Sequence, residues 1–96
     1  MPRYLSLINF TDTGIRSVSE SLDRAEHFKA TVAEAGGKVE AVYWAVGDAD
    51  GAVIFDAPDE ATGARLLLKI GHDGFVRTKT LRIYDSTEFR AIVSSI

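Results

Sequence analysis

Residues 38–56, KVEAVYWAVGDADGAVIFD, decide the fold. Val39, Val42, Tyr43, Trp44 and Val46 are the β-branched and aromatic types that suit a pleated surface. Alternation sets Glu40, Val42, Trp44 and Val46 on one side and Val39, Ala41, Tyr43 and Ala45 on the other. Both sets are mainly apolar, as in a strand covered on both faces. Gly47, Asp48, Ala49, Asp50 and Gly51 form a cluster of turn formers. Val53, Ile54 and Phe55 resume the strand pattern. Asp56, Ala57, Pro58 and Asp59 end it, because proline lacks a ladder donor. The segment predicts two strands joined by a tight, acidic, glycine-containing connection.

Working outward, residues 4–10 read as a first strand, with β-formers at Tyr4, Ile8 and Phe10. Thr11, Asp12, Thr13 and Gly14 break it, and residues 15–18 allow a turn of helix. Residues 19–35 have helical periodicity, with Val18, Leu22, Ala25, Phe28, Lys29, Val32 and Ala35 on one stripe. Ser19 is a candidate N-cap and Gly36-Gly37 a C-terminal stop. His27 falls off the stripe, beside Glu20, Arg24 and Glu34. Beyond the hairpin, Asp59 is placed to cap a helix over residues 60–70. Ala61, Ala64, Leu67 and Leu68 form its expected buried face, flanked by Leu66 and Ile70, and Gly71 ends it. His72, Asp73 and Gly74 then predict a turn. Residues 75–84 predict a fourth strand, with Phe75, Arg77, Lys79, Leu81 and Ile83 on one face and Val76, Thr78, Thr80, Arg82 and Tyr84 on the other. Asp85 or Ser86 is placed to cap a last helix whose apolar side is Phe89, Ile92 and Val93.

The order is β-α-β-β-α-β plus a terminal helix, which describes an α+β, ferredoxin-like sandwich over residues 1–96. Ninety-six residues fit one domain. A chain of this size buries roughly 60–70% of its unfolded surface, enough for one core. With 46% apolar and 26% charged residues, the composition is that of a folded domain rather than a disordered one. The net charge of −3 offers no basic stripe for nucleic acid. The absence of cysteine removes disulfides, thiolate metal sites and a cysteine nucleophile. The first ten residues, MPRYLSLINF, are too short in their apolar part for a signal peptide. No apolar run approaches the ~20 residues of a membrane helix. A cytoplasmic location is expected.

Two helices cover one face of such a sheet and nothing remains for the other. Since both sides of the hairpin are apolar, a second copy of the chain is the expected cover, in a two-fold homodimer.

The segments NFTDTGIRSV (residues 9–18), VYWAVGDAD (42–50), DAPDEATG (56–63) and GFVRTKTLR (74–82) resemble, in this order, the GYD-domain family of small bacterial proteins. The resemblance spans nearly the whole chain. The family is named for a Gly-x-Tyr-Asp stretch after the second strand. Here that stretch is Gly47-Asp48-Ala49-Asp50, with alanine at the tyrosine position, so no role for that ring or hydroxyl carries over. The resemblance implies a ferredoxin-like fold and a dimeric α+β barrel assembly. It implies no established activity.

Several side chains invite chemistry. Arg77, Lys79 and Arg82 lie in one strand, and a cation in a half-buried strand is costly unless paired. Arg77 is suited to hold a carboxylate or phosphate through two parallel hydrogen bonds. A salt bridge to Asp50 or Asp12, or exposure at a strand end, is the favoured explanation, and Arg77 is the first choice if a ligand is anionic. Asp48 and Asp50 could share a proton or hold a hard cation, but turn formation accounts for both. His72 and Asp50 are the candidate general bases. His27 and His72 are too far apart in sequence, and too few, for a metal site. Tyr43 and Trp44 face opposite sides of their strand. A pocket lined by Tyr4, Tyr43 or Trp44 with Arg77 at its base, and Lys79 nearby, would suit an apolar or aromatic ligand bearing one acid group. Residues 11–14 with Arg16 offer a lid or rim but lack the pattern of a phosphate loop. Ser17, Ser19 and Ser21 lie in no nucleophile elbow. No cofactor is implied. Three functions follow in order: a homodimeric small-molecule-binding protein, a cofactor-independent isomerase or oxygenase, and a structural or protein-interaction module.

Overall fold

The computed structural model describes residues 1–96. Strand β1 (Arg3–Phe10) leads to a short helix α1 (Asp12–Arg16), a 3-10 turn at Val18–Glu20 and helix α2 (Ser21–Glu34). The hairpin strands β2 (Lys38–Trp44) and β3 (Gly51–Asp56) follow. Helix α3 (Glu60–His72), strand β4 (Val76–Ile83) and helix α4 (Ser86–Val93) complete the chain. The strands form one antiparallel, four-stranded sheet in the order β2-β3-β1-β4. This is the ferredoxin-like arrangement the sequence predicts, with α2 packed on β2 and α3 on β4.

Cross-strand register sorts the side chains by face, because directly paired residues share a side of the sheet. Under the helices run the rows Arg82–Tyr4–Phe55–Val39 and Thr80–Ser6–Val53–Val42. A third row there is Thr78–Ile8–Gly51–Trp44. The core is the buried set Val32, Val53, Phe55, Ala57 and Leu66. Phe55 is fully buried, stacks on Tyr4 at 5.3 Å and meets Phe28 edge-on at 5.7 Å. Ser6 is buried too, and its hydroxyl is satisfied by Thr80 Oγ1 at 2.8 Å. On the other face lie Leu81–Leu5–Ile54–Ala41 and Lys79–Leu7–Ala52–Tyr43.

Six local expectations need correction. The simple alternation of β2 fails at Glu40, where a β-bulge lies between Val39 and Ala41. The extra residue puts Val39 on the same side as Val42 and Trp44. Glu40 is left near Arg3, 3.4 Å from its Nη2. The strand also stops at Trp44, so Ala45 and Val46 belong to the connection. Helix α2 begins at Ser21 rather than Ser19 and has no side-chain cap. Its inward stripe uses Ala25, Phe28, Val32 and Ala35, whereas Leu22 is 63% exposed. Helix α3 is rotated from the expected face: Gly63 and Leu66 are buried and Leu68 is 75% exposed. The physical reason is Gly63, which lies against Tyr4, where an added Cβ would come within 2.7 Å of the ring. That close approach fixes the rotation of the helix. Helix α3 also runs through Gly71 to His72 before the turn.

Helix starts follow the sequence where a carboxylate is available. Asp59 accepts the Thr62 N–H at 2.7 Å, and that bond holds its carboxyl below the usual range. Asp85 and Glu88 form a reciprocal capping box at α4.

Beside the outer rows, Asp56 takes two bonds from Arg3, Nε to Oδ1 at 2.7 Å and Nη2 to Oδ2 at 3.1 Å. These bonds hold the Asp56 carboxyl below its ordinary value, against the opposing effect of burial. A depressed carboxylate stabilises the fold above the unfolded-state pKa of about 3.9 and ceases to do so as pH falls through the folded value. In urea titrations from neutral pH down to about pH 2, wild type should therefore lose more stability below about pH 4 than Asp56→Asn. Equal acid losses would remove Asp56 from this role.

Candidate functional site

One end of the sandwich is not filled. There the carboxyl ends of β1 and β2 meet the amino ends of β3 and β4, under the first half of α2 and the last half of α3. Phe55, Tyr4 and Val32 occupy the other end, with Phe28 between the two. Near the open end the residues of α2 along the gap include two small ones, Ser21 and Ala25, beside Arg24. The result is a cleft of about 430 Å³ with walls from Phe10, Trp44, Phe28, Ile70, Phe75 and Val76. That volume is within the range of small-molecule sites, and so is an apolar lining with few polar groups.

Backbone ties hold the mouth. The Asp50 carboxylate accepts the Phe10 N–H at 2.8 Å. The Asp50 N–H donates to Ile8 O, and its carbonyl accepts from the Ala45 N–H, both at 2.8 Å. Asp50 thus fixes the end of β1 to the start of β3. Residues 11–14, expected as a lid or rim, form the capped start of α1. Thr11 Oγ1 accepts the Gly14 N–H at 3.1 Å and donates to Gly74 O at 2.7 Å. Gly14 is pressed on the Phe75 carbonyl, where a Cβ would lie 1.9 Å from the oxygen. Only glycine permits this contact, which fixes α1 beside Phe75.

The sequence candidates divide between regions. Trp44, Tyr43 and Asp50 line the cleft. Trp44 lies on the helix side, and its Nε1 donates to Ser21 Oγ at 3.1 Å. Tyr43 shares the register of the opposite side. Tyr4 is spent in the core against Phe55. Arg77 pairs with Asn9 in register, on the face away from the helices. Its Nη1 donates to Gly71 O at 2.8 Å and Val76 O at 3.0 Å, not to Asp50 or Asp12. Lys79 lies opposite Leu7 on that same face and is exposed. His72 is exposed at the last residue of α3 and is outside the cleft lining, whereas His27 is at its edge. Asp48 is exposed in the hairpin connection.

Arg24 is the cleft residue the sequence reading passed over. Its guanidinium lies 4.5 Å from the Phe75 ring centroid. Its Nη1 donates to Ser17 O and Ser17 Oγ, each at 3.3 Å. The available signal was its spacing from Phe28, four positions on, which puts the two on one helix face. Lys69 and Asp73 also line the cleft and pair with each other at 2.7 Å. No helix is long and apolar enough to cross a membrane.

A family model described as the GYD domain matches residues 4–93 of the chain. No curated protein matches it.

The ties at Asp50 generate a test of its role. Asparagine keeps an acceptor oxygen for the Phe10 N–H, and alanine removes it. Asp50→Ala should lower unfolding free energy by about 1–3 kcal/mol in urea melts, and Asp50→Asn by less. Equal losses would show that the carboxylate charge, rather than the acceptor, matters.

Proposed function

The chain belongs to the GYD-domain family, and on that premise we propose that it is a small-molecule-binding protein with its ligand seated between α2, α3 and the sheet. The observation that carries this reading is the apolar cleft of about 430 Å³ at the open end of the sandwich. A core residue of ordinary packing leaves few voids larger than water, so a cleft of this size held open by side-chain and backbone ties is a feature with a use. Binding is favoured over turnover because two of the four acids along the cleft are already engaged, Asp50 by the Phe10 N–H and Asp73 by Lys69, and the other two, Glu20 and Asp23, are exposed. A cofactor-independent isomerase or oxygenase needs a base within hydrogen-bond reach of its substrate.

A second copy of the chain is our reading for the uncovered face of the sheet. Leu5, Leu7, Ile54 and Leu81 form a contiguous apolar patch there, with Leu81 51% and Tyr43 64% exposed. Helix α4 also exposes Phe89, Ile92 and Val93. Exposed apolar surface of this kind marks contact sites, and a self-complementary patch closes as a two-fold pair.

Trp44 is the single tryptophan and lines the cleft, so it reports occupancy directly. Titration with the neutral fluorophore N-phenyl-1-naphthylamine should quench Trp44 emission saturably, and Ala25→Leu, which fills the cleft, should weaken the effect. Absence of saturable quenching would sink the cleft reading.

For the assembly, light scattering should give twice the 10.4 kDa chain mass. Leu81→Glu should return it to one chain mass without loss of helical circular dichroism. A wild-type protein at one chain mass overturns the second-copy reading.

A further inference from the structure

We propose that Arg24 is the anion receptor of the cleft and that the ligand is an apolar molecule bearing a single carboxylate. This rests on the cleft reading above and adds the chemical class of its occupant. Only two buried side-chain nitrogen or oxygen atoms in the chain lack a hydrogen-bond partner, Arg24 Nη2 and Arg82 Nε. Arg82 lies outside the cleft and is otherwise engaged, with Tyr84 4.3 Å below its guanidinium and Glu88 3.7 Å away. Arg24 is the weakly engaged one. Its two bonds to Ser17 are long, and its nearest carboxylate, Glu20, is 3.8 Å away and largely exposed. A pair in that setting contributes little.

Position matters as much as partners. Arg24 sits at the start of α2, where the helix dipole disfavours a cation and favours an anion. α2 has no side-chain cap there, and Ser21 and Arg24 both line the cleft. A buried guanidinium N–H without an acceptor is unfavourable, and a carboxylate matches the guanidinium fork with two parallel bonds. Nη2 is shut off from solvent in this conformation, so the acid is admitted by rotation of the Arg24 side chain, which is 23% exposed and held by the two long Ser17 bonds, the Phe75 ring and the 3.8 Å pairing with Glu20.

The other charges set the limit of one negative charge. Glu20, Asp23, Asp50 and Asp73 line the same cleft, and Lys69 is already paired with Asp73. A dianionic phosphate would meet four carboxylates with one uncommitted cation. A monocarboxylate places its single charge at Arg24 and its apolar body against Phe75, Phe10 and Trp44.

The test compares 1-naphthaleneacetate with 1-naphthaleneacetamide, which share a body and differ in charge, using Trp44 quenching. Acetate should bind the wild type about tenfold tighter than the amide, the difference expected of one charge-assisted interaction. Arg24→Gln should abolish the preference, lowering acetate affinity about tenfold more than amide affinity, and Arg24→Lys should restore part of it. Wild-type circular dichroism is the check that the variants are folded. If the amide binds and the acetate binds no tighter, or if Arg24→Gln keeps the preference, the proposal fails and the cleft reading stands. If neither probe quenches Trp44, both fail.

Discussion

The ring of Phe55 is the constraint on which the arrangement depends. It is fully buried, stacked on Tyr4 from β1 and met edge-on by Phe28 from α2. Three elements are thereby fixed at one end of the sandwich, and the register carries the order outward from there. Tyr4 in turn receives Gly63 of α3, which sets how that helix lies on the sheet. Aromatic contacts of this kind add to the area they bury, and removing such a ring costs about 3–5 kcal/mol. No equivalent wedge stands at the other end. There α2 offers Ser21 and Ala25, and the helices span a gap that their own side chains do not fill. The cleft is the consequence of putting the bulk of the core at one end.

The same sheet has two unlike faces, and the alternation of β1 makes this plain. Tyr4, Ser6 and Ile8 turn to the helices, while Leu5 and Leu7 turn away. An apolar row on an uncovered face is unusual for a single-layered side in water, where one face is normally polar. Arg3, Asp56 and Glu40 give that face a polar border. An apolar centre with a charged border is the composition of a contact surface rather than of a solvated sheet.

Much of the fold was legible because periodicity and punctuation agree. The turn formers at residues 47–51 mark the hairpin, Gly36-Gly37 ends α2, and Asp59 caps α3 where a carboxylate precedes a helical pattern. What was not legible depends on tertiary contacts. The bulge at Glu40 has no local signature, since Val39 is equally apolar for either face. The rotation of α3 is set by Tyr4, fifty-nine positions before Gly63, and the spacing of leucines around Leu66 and Leu68 fits either face. Within the site, Trp44 was legible as a strand aromatic and Asp50 as a turn residue beside it. Arg24 was not, because a stripe that includes Val18, Leu22 and Lys29 along with Phe28 and Val32 is centred away from it. Narrowed to Phe28 and Val32, which pack on the core, the stripe turns Arg24 inward.

Arg77 and Arg24 illustrate why residue type without face is a poor guide to a site. Both are arginines, and Arg77 looked the more constrained because it lies in a strand. Its strand neighbours Lys79 and Leu81 share its face, which is the one away from the helices, and its Nη1 is satisfied by two carbonyls. A satisfied cation on an open face has no deficit for a ligand to correct. Arg24 has one, since its Nη2 is buried without an acceptor beside an apolar cleft. The difference between the two is set by hydrogen-bond accounting rather than by charge. Because the cleft and the apolar row lie on opposite faces, a ligand at Arg24 and a second copy at Leu81 would meet different side chains, Tyr43 excepted, which lines the cleft and also lies in an outer row. Each strand serves both through its alternation, and the two readings can therefore stand or fall separately.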